Sequence, residues 1–326
     1  MSTADADLVS LDEPDFDEAM RRYRRELHVY CYRMLGSFDD AEDHVQEVFL
    51  RAWRSRSGFQ GHASIRAWLY RIATNACLDT LRRHRNRTVP DPSDGSSGPS
   101  VASMPWLQPY PDALLDELVS DRAGPEASAL IRESISLAYL TVIQLLPPRQ
   151  RAVVILRDVL DWPANEVATL IDSSVPAVKS ALQRARATLQ EHQTSREPAP
   201  APPAADQRRL LQGFIAAHEQ ADPEALIALL RDDVRLAISP QVGEWTGRAT
   251  VAAELRAGMT SLGAWRVLPT AANGRPAAAG YLRRPGETVF LPFVITVLDI
   301  QNGQLVDIAA FEAADLIVAF GLPASL

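Results

Sequence analysis

The chain has 326 residues, 47% of them hydrophobic, and a formal net charge of −8. That length implies two or three domains with well-built cores, and no apolar run is long enough to cross a membrane. Net acidity taken alone argues against a nucleic-acid binder, but the charge is unevenly placed: Arg82, Arg83, Arg85 and Arg87 form one basic cluster and the stretch around Lys179 to Arg186 another. Acids gather at the N-terminus, after Ser37, and between Asp91 and Glu126. Met1 to Leu11 lacks the basic start and apolar stretch of a secretory signal. Cys31 and Cys77 stand in helical patterns with no metal-ligand neighbour, as buried thiols in a reducing cytoplasm would. No metal site or cofactor is expected.

Residues 1–14 are polar and expected to be disordered. The pattern then predicts a helix from Asp15 to Leu35, ended by Gly36. A second helix, Asp39 to Trp53, carries the apolar stripe Val45, Val48, Phe49, Ala52 and Trp53. Asp39, Asp40, Glu42 and Asp43 crowd its first turns, where the helix dipole favours negative charge; so dense an acidic face also suits docking on a basic partner. After the loop Ser57 to Gly61, a long helix from Ala63 to Arg85 buries Ile65, Trp68, Leu69, Ile72 and Ala76. Its polar row is Arg71, Asn75, Asp79, Arg82 and Asn86, a pattern suited to phosphate contact with some base reading. Phe59 and Trp68 could stack on unpaired bases or serve as core, and the position of Trp68 on the apolar stripe favours core.

Thr88 to Gln108 is rich in Pro, Ser, Gly and Asp and reads as a flexible linker. The aromatic segment Pro105-Trp106-Leu107-Gln108-Pro109-Tyr110-Pro111 interrupts it and is expected to lie against something. Helices resume near Glu126. Asp161 to Leu189 reads as two short helices joined by a polar turn, with Pro163 starting the first and Ser173 or Ser174 able to cap the second. Val178, Ala181, Leu182, Ala185 and Leu189 make a core-facing stripe, which leaves Lys179, Ser180, Gln183, Arg184 and Arg186 pointing away from it. Such a helix can dock in a major groove, or it is an ordinary helix pair with a solvated basic face. A Pro/Ala linker over 193–205 follows. From Asp206 onward helices give way to strand-like runs, with a hairpin signal at Gln301-Asn302-Gly303 and Pro292 marking an edge or bulge. Helices first and a bent antiparallel sheet afterwards predict a small α+β domain.

The residues also carry a family resemblance. YRRELHVYCYRMLGSFDDAEDHVQEVFLRAW and FQGHASIRAWLYRIATNACLDTLRR resemble the promoter-melting region 2 of extracytoplasmic-function (ECF) sigma factors of the sigma-70 family. LLPPRQRAVVILRDVLDWPANEVATLIDSSVPAVKSALQRARATL resembles their helix-turn-helix region 4. The WLQPYPD segment and the added C-terminal domain resemble a subgroup with a SnoaL-like, cone-shaped α+β extension. The implied layout is a multidomain chain: all-α region 2 over 15–87, a linker over 88–125, all-α region 4 over 126–192, and the cone over 206–326.

The resemblance implies roles for particular residues. Asp39, Asp40, Glu42, Asp43, Gln46 and Glu47 would dock on the clamp helices of core RNA polymerase, with the flap as a further contact of the factor. Phe59, His62, Ser64, Arg71, Asn75, Asp79, Arg82 and Arg83 would capture the opened −10 element. Pro176, Ala177, Lys179, Ser180, Gln183, Arg184 and Arg186 would meet the −35 element. The acidic linker would thread toward the polymerase cleft. In the cone, His218, Trp245, Trp265, Phe293 and Phe311 are the candidate pocket residues, able to take a small apolar ligand. No catalytic residue is assigned, because proton transfer needs a carboxylate or imidazole beside a polarising donor, and the nearby acids sit at helix ends where capping accounts for them. The expected protein is a cytoplasmic, non-enzymatic initiation factor whose partners are polymerase and promoter DNA. The alternative is a DNA-targeted enzyme or small-molecule sensor whose C-terminal domain is the functional core.

Overall fold

A computed structural model describes residues 13–59, 64–84, 100–120, 125–192, 204–240, 243–312 and 314–326. The chain divides into two compact units, one of residues 1–88 with 143–191, the other of 89–142 with 192–326. His62, Arg85, Asn86, Arg87 and the linker residues 88–99 and 121–124 lie outside the described residues.

The first unit is all helical. α1 (Glu13–Leu35), α2 (Phe38–Ser55) and α3 (Ile65–Arg83) pack on one another. Ser37 caps α2, its Oγ accepting from the Asp40 amide at 3.1 Å, and Ser64 caps α3 through the Ala67 amide at 3.1 Å. The buried face of α3 is broader than the stripe predicted for it. Leu69 and Ala76 are buried as expected, while Ile65, Trp68 and Ile72 are only half-buried. Tyr70, Ala73, Thr74, Cys77, Leu78 and Leu81 are buried instead, because α3 is packed from several sides at once.

α7 (Pro148–Val154), a π turn over Ile155–Val159, α8 (Ala164–Leu170) and α9 (Val175–His192) complete the unit. Two buried contacts bind them to α1 and α3. Arg151 is buried; its Nη1 donates to the Met34 carbonyl at 2.5 Å and its Nη2 to the Gln144 and Leu146 carbonyls, while Gln144 Nε2 donates to the Arg33 carbonyl at 3.1 Å. The last carbonyls of α1, which no helix can satisfy for itself, thereby find donors. Trp162, likewise buried, lies on Tyr70 with ring centroids 5.0 Å apart, and Arg66 sits over the indole at 5.1 Å.

In the second unit, α10 (Ala204–Glu219), α11 (Pro223–Ala228) and α12 (Arg248–Ser261) accompany six strands: β1 (Leu230–Ser239), β2 (Gly243–Thr246), β3 (Ala264–Ala272), β4 (Arg275–Arg283), β5 (Leu291–Gln301) and β6 (Gln304–Glu312). They form one sheet in the order β2-β1-β6-β5-β4-β3. β1 runs parallel to β6, so the sheet is mixed and not the antiparallel one expected. The Asn302-Gly303 hairpin forms with both residues at positive φ, and Pro292 falls at the β4–β5 bulge, both as the sequence indicates. Phe214, Leu226, Leu236, Val251, Trp265, Leu298 and Ile308 belong to one core cluster. Gly280 makes room for it, since a Cβ there would stand 2.8 Å from Val294 and 3.1 Å from Trp265.

The stretch read as linker contributes to this unit. α4 (Asp112–Ser120) forms where no helix was expected, followed by α5 (Pro125–Glu133) and α6 (Leu137–Ile143). Met104, Leu107 and Tyr110 are buried, and Pro111 bridges Ala272 at the end of β3.

Candidate nucleic-acid and protein interfaces

The helix-turn-helix is built as its sequence indicates. Pro163 precedes α8, the turn passes through Asp172 at φ 51°, and Ser174 Oγ caps α9 by accepting from the Ala177 amide at 3.3 Å. Val178, Leu182 and Ala185 are buried. Pro176, Ala177, Lys179, Ser180, Gln183, Arg184 and Arg186 are all exposed. Lys179, Gln183 and Arg186 line one shallow open concavity of about 460 Å³. Arg184 Nη1 donates to Ser180 Oγ at 2.6 Å. Arg186 is engaged by Asp158 in a forked pair, at 2.9 and 2.6 Å, which also raises its pKa. The carboxylate fixes the guanidinium on the helix flank, and a phosphate would have to replace it.

On α3, Arg71, Asn75, Arg82 and Arg83 are exposed and Asp79 is half-buried. Asp79 Oδ1 accepts from Arg82 at 2.7 Å, so its negative charge orients an arginine of the same row. Arg83 turns to Thr80 Oγ1 at 3.1 Å. Two expectations change here. Phe59 is buried against Trp68 at 5.2 Å between centroids, so its ring is not presented for stacking. The Ser64 hydroxyl is occupied as the α3 cap.

The acidic face of α2 is narrower than the six residues named for it. Asp39, Asp43 and Gln46 are exposed. Glu42 faces Arg24 and His28 of α1, and Glu47 is paired with Arg51 at 2.6 Å, which lowers its pKa. Asp40 is half-buried beside the Ser37 cap. The outward row at i, i+4 and i+7 ends on Leu50 at i+11, which is 51% exposed. Leu50 belongs to no apolar stripe of the sequence, yet helical spacing from Asp39 reaches it.

In the second unit, His218 Nδ1 hydrogen-bonds the Phe214 carbonyl at 2.9 Å, and its ring meets Phe214 at 4.3 Å and Trp265 at 6.1 Å. Burial lowers the pKa of His218 and keeps it neutral. Trp265 meets Phe293 at 5.7 Å, and Trp245 packs on the same cluster. Phe311 is buried opposite Ile295 across β5 and β6 but stands outside that cluster, on account of strand alternation, so it leaves the pocket group. The neighbouring carboxylate, Glu219, accepts from the Val267 amide at 3.1 Å and lies 3.8 Å from Arg266. It thus ties the end of α10 to β3.

An outward Arg/Asn row on α3, a helix-turn-helix with a basic outer face and an acidic row on α2 thus stand on one helical unit, and the comparisons give that unit its class. Sigma-70 region 2 matches residues 19–87, and Sigma-70, region 4 matches 136–189. The ECF RNA polymerase sigma factor SigG of Mycobacterium tuberculosis is 41% identical over 96% of this chain and 85% of its own length. SigW of Bacillus subtilis is 29% identical over 55% of this chain and 89% of its own. The crystal structure of the extracytoplasmic function sigma factor SigJ of Mycobacterium tuberculosis shares the fold, with a TM-score of 0.57 and 20% identity over 94% of this chain and 99% of that one. The chain belongs to the ECF RNA polymerase sigma factors, and its C-terminal α+β domain is included in the fold shared with the SigJ structure.

Proposed function

We propose that the factor grips its promoter at two points and core polymerase at a third, and that its C-terminal domain acts on this grip in cis. The exposed row of α9 reads the −35 element. The row Arg71, Asn75, Arg82 and Arg83 holds the opened −10 strand. Asp39, Asp43, Gln46 and Leu50 dock on the polymerase clamp helices, with region 4 reaching the flap. The carrying observation is that these polar rows face solvent on helices whose opposite faces are buried. No helix among the described residues is long and apolar enough to cross a membrane, in keeping with work beside the polymerase in the cytoplasm.

The cone is read as non-catalytic. The candidate cluster of His218, Trp245, Trp265 and Phe293 is packed as core, and its nearby carboxylate is held by backbone.

The test is run-off transcription by core polymerase with the full chain. Asp43→Arg with Leu50→Asp removes promoter-specific product while leaving duplex binding by α9 intact. A double variant that still forms holoenzyme at the wild-type concentration would remove α2 from the docking surface.

A further inference from the structure

We propose that the C-terminal domain limits how far apart the two promoter-reading faces can stand, and thereby sets the −10 to −35 spacing that the holoenzyme accepts. The inference rests on the assignment of α3 and α9 to those two elements.

The device is a clasp between the β3–β4 turn and the inter-domain segment. Asn273 and Gly274 make that turn at φ 55° and 73°. Asn273 is only 1% exposed, an unusual state for a hairpin asparagine. Its Oδ1 accepts from the Tyr110 amide at 2.9 Å, its own amide donates to the Tyr110 carbonyl at 3.0 Å, and its Nδ2 donates to the Ile135 carbonyl at 2.7 Å. The Gly274 amide donates to Asp112 Oδ1 at 2.9 Å. Groups that such a turn ordinarily offers to water are spent on residues more than 130 positions earlier. A buried polar network of this kind is stable when complete and costly when part-formed, so the residues that it holds, Tyr110, Asp112 and Ile135, move with the cone.

Two promoter elements about 25 base pairs apart can be held at once only after region 4 leaves region 2 and the Arg151 and Trp162 contacts break. Chain length then decides how far apart the two can stand. Eighteen residue steps separate Arg83, the end of α3, from Val101, and sixty separate it from Ile143, where region 4 rejoins its unit. Fully extended, these reach about 60 Å and about 200 Å. The clasped segment instead crosses a domain about 40 Å wide, which caps the total near 100 Å. Elements at −35 and −10 lie about 25 base pairs apart, about 85 Å of straight duplex. The clasped chain exceeds that requirement by roughly four or five base pairs. An unclasped chain would impose no limit.

The experiment uses full-length protein with core polymerase. A two-element promoter is first selected from a random library, and its spacer is then varied base pair by base pair over about one helical turn. Two variants release the reach independently. Asn273→Gly with Asp112→Ala keeps the turn conformation and removes its three side-chain bonds to the segment, leaving one backbone bond to Tyr110. Insertion of about twenty Gly/Ser residues after Ser97 lengthens the tether with the clasp intact. Both are expected to raise transcription from spacers about six or more base pairs beyond the preferred length by about fivefold, with the preferred spacer unchanged. Amide exchange at Tyr110 reports whether the first variant has freed the segment; if it has not, the insertion alone decides. A spacer profile identical to wild type in the insertion variant overturns the proposal. A library that returns no −35 element defeats the assignment of α9 instead, a distinguishable result.

Discussion

The two compact units spend their polar side chains in opposite directions. In the first, Lys179, Gln183, Arg71 and Asn75 face solvent from helices whose other faces are core. In the second, the telling polar groups face inward: Asn273 and Asp112 are buried, and they bind another part of the same chain. The first unit is therefore built to meet partners, and the second to hold its own linker. Their titratable groups differ in the same sense. His28, buried between α1 and α2, has its pKa lowered to about 4, chiefly by burial. Asp112 has its pKa raised to about 6, again chiefly by burial, with Asp116 adding to the rise and Arg132 and the Gly274 amide opposing it.

The largest expected effect lies in the first unit. Arg151→Met should destabilise it by about 3–5 kcal/mol, because the Met34, Gln144 and Leu146 carbonyls lose a buried donor. Urea unfolding followed by helical signal checks this; a loss under about 1 kcal/mol would mean that water replaces the guanidinium at no cost. Next comes Asp43→Arg with Leu50→Asp, expected to weaken holoenzyme assembly by about thirtyfold at unchanged helicity, as loss of a docking hot spot does.

Smaller effects separate DNA-facing from self-facing groups. Lys179→Ala should reduce the salt dependence of −35 duplex binding by about one unit in the log–log slope. Asp158→Asn should act the other way and tighten binding a few-fold, since Arg186 need no longer give up a carboxylate. Equal affinity in both variants would detach α9 from the duplex.

The smallest effect is one of pH. The folded state favours neutral His28, so that contribution is complete above pH 6.5 and fades as pH falls toward 4. The docked segment favours protonated Asp112, so docking is strongest below pH 3.8 and weakens as pH rises through 6. Asp112→Asn, an uncharged isostere, should therefore raise the second unit's thermal midpoint relative to wild type at pH 7.5, with the gap closing toward pH 5. A gap that is constant with pH would show that the carboxylate does not titrate in the clasp.

What the sequence disclosed follows the same division. The α9 row and the acidic α2 face were legible because helical period 3.6 marks which side faces out, and the Ser174 cap lies three residues from its partner. Leu50 was legible in principle, by counting from Asp39. The burial of Phe59 was not, since a loop has no period. β2 and β3 escaped because the short GEWT and the proline-bearing AWRVLPTAA carry weak strand signals. The parallel partner of β1 lies some seventy residues away, and no local pattern names it. The clasp was foreseen only in outline. An aromatic run that no free linker would keep pointed to a docked segment, but its receptor, Asn273, lies 163 positions from Tyr110.

The most direct test of the two-point grip couples residue rows to promoter elements. Run-off transcription with core polymerase compares wild type, Lys179→Ala/Arg186→Ala and Arg71→Ala/Asn75→Ala on a selected promoter and on templates lacking either element. The account predicts that the α9 penalty vanishes on the template without a −35 element while the α3 penalty persists there, and that the converse holds when the −10 element is removed. Penalties of equal size on all three templates would contradict it.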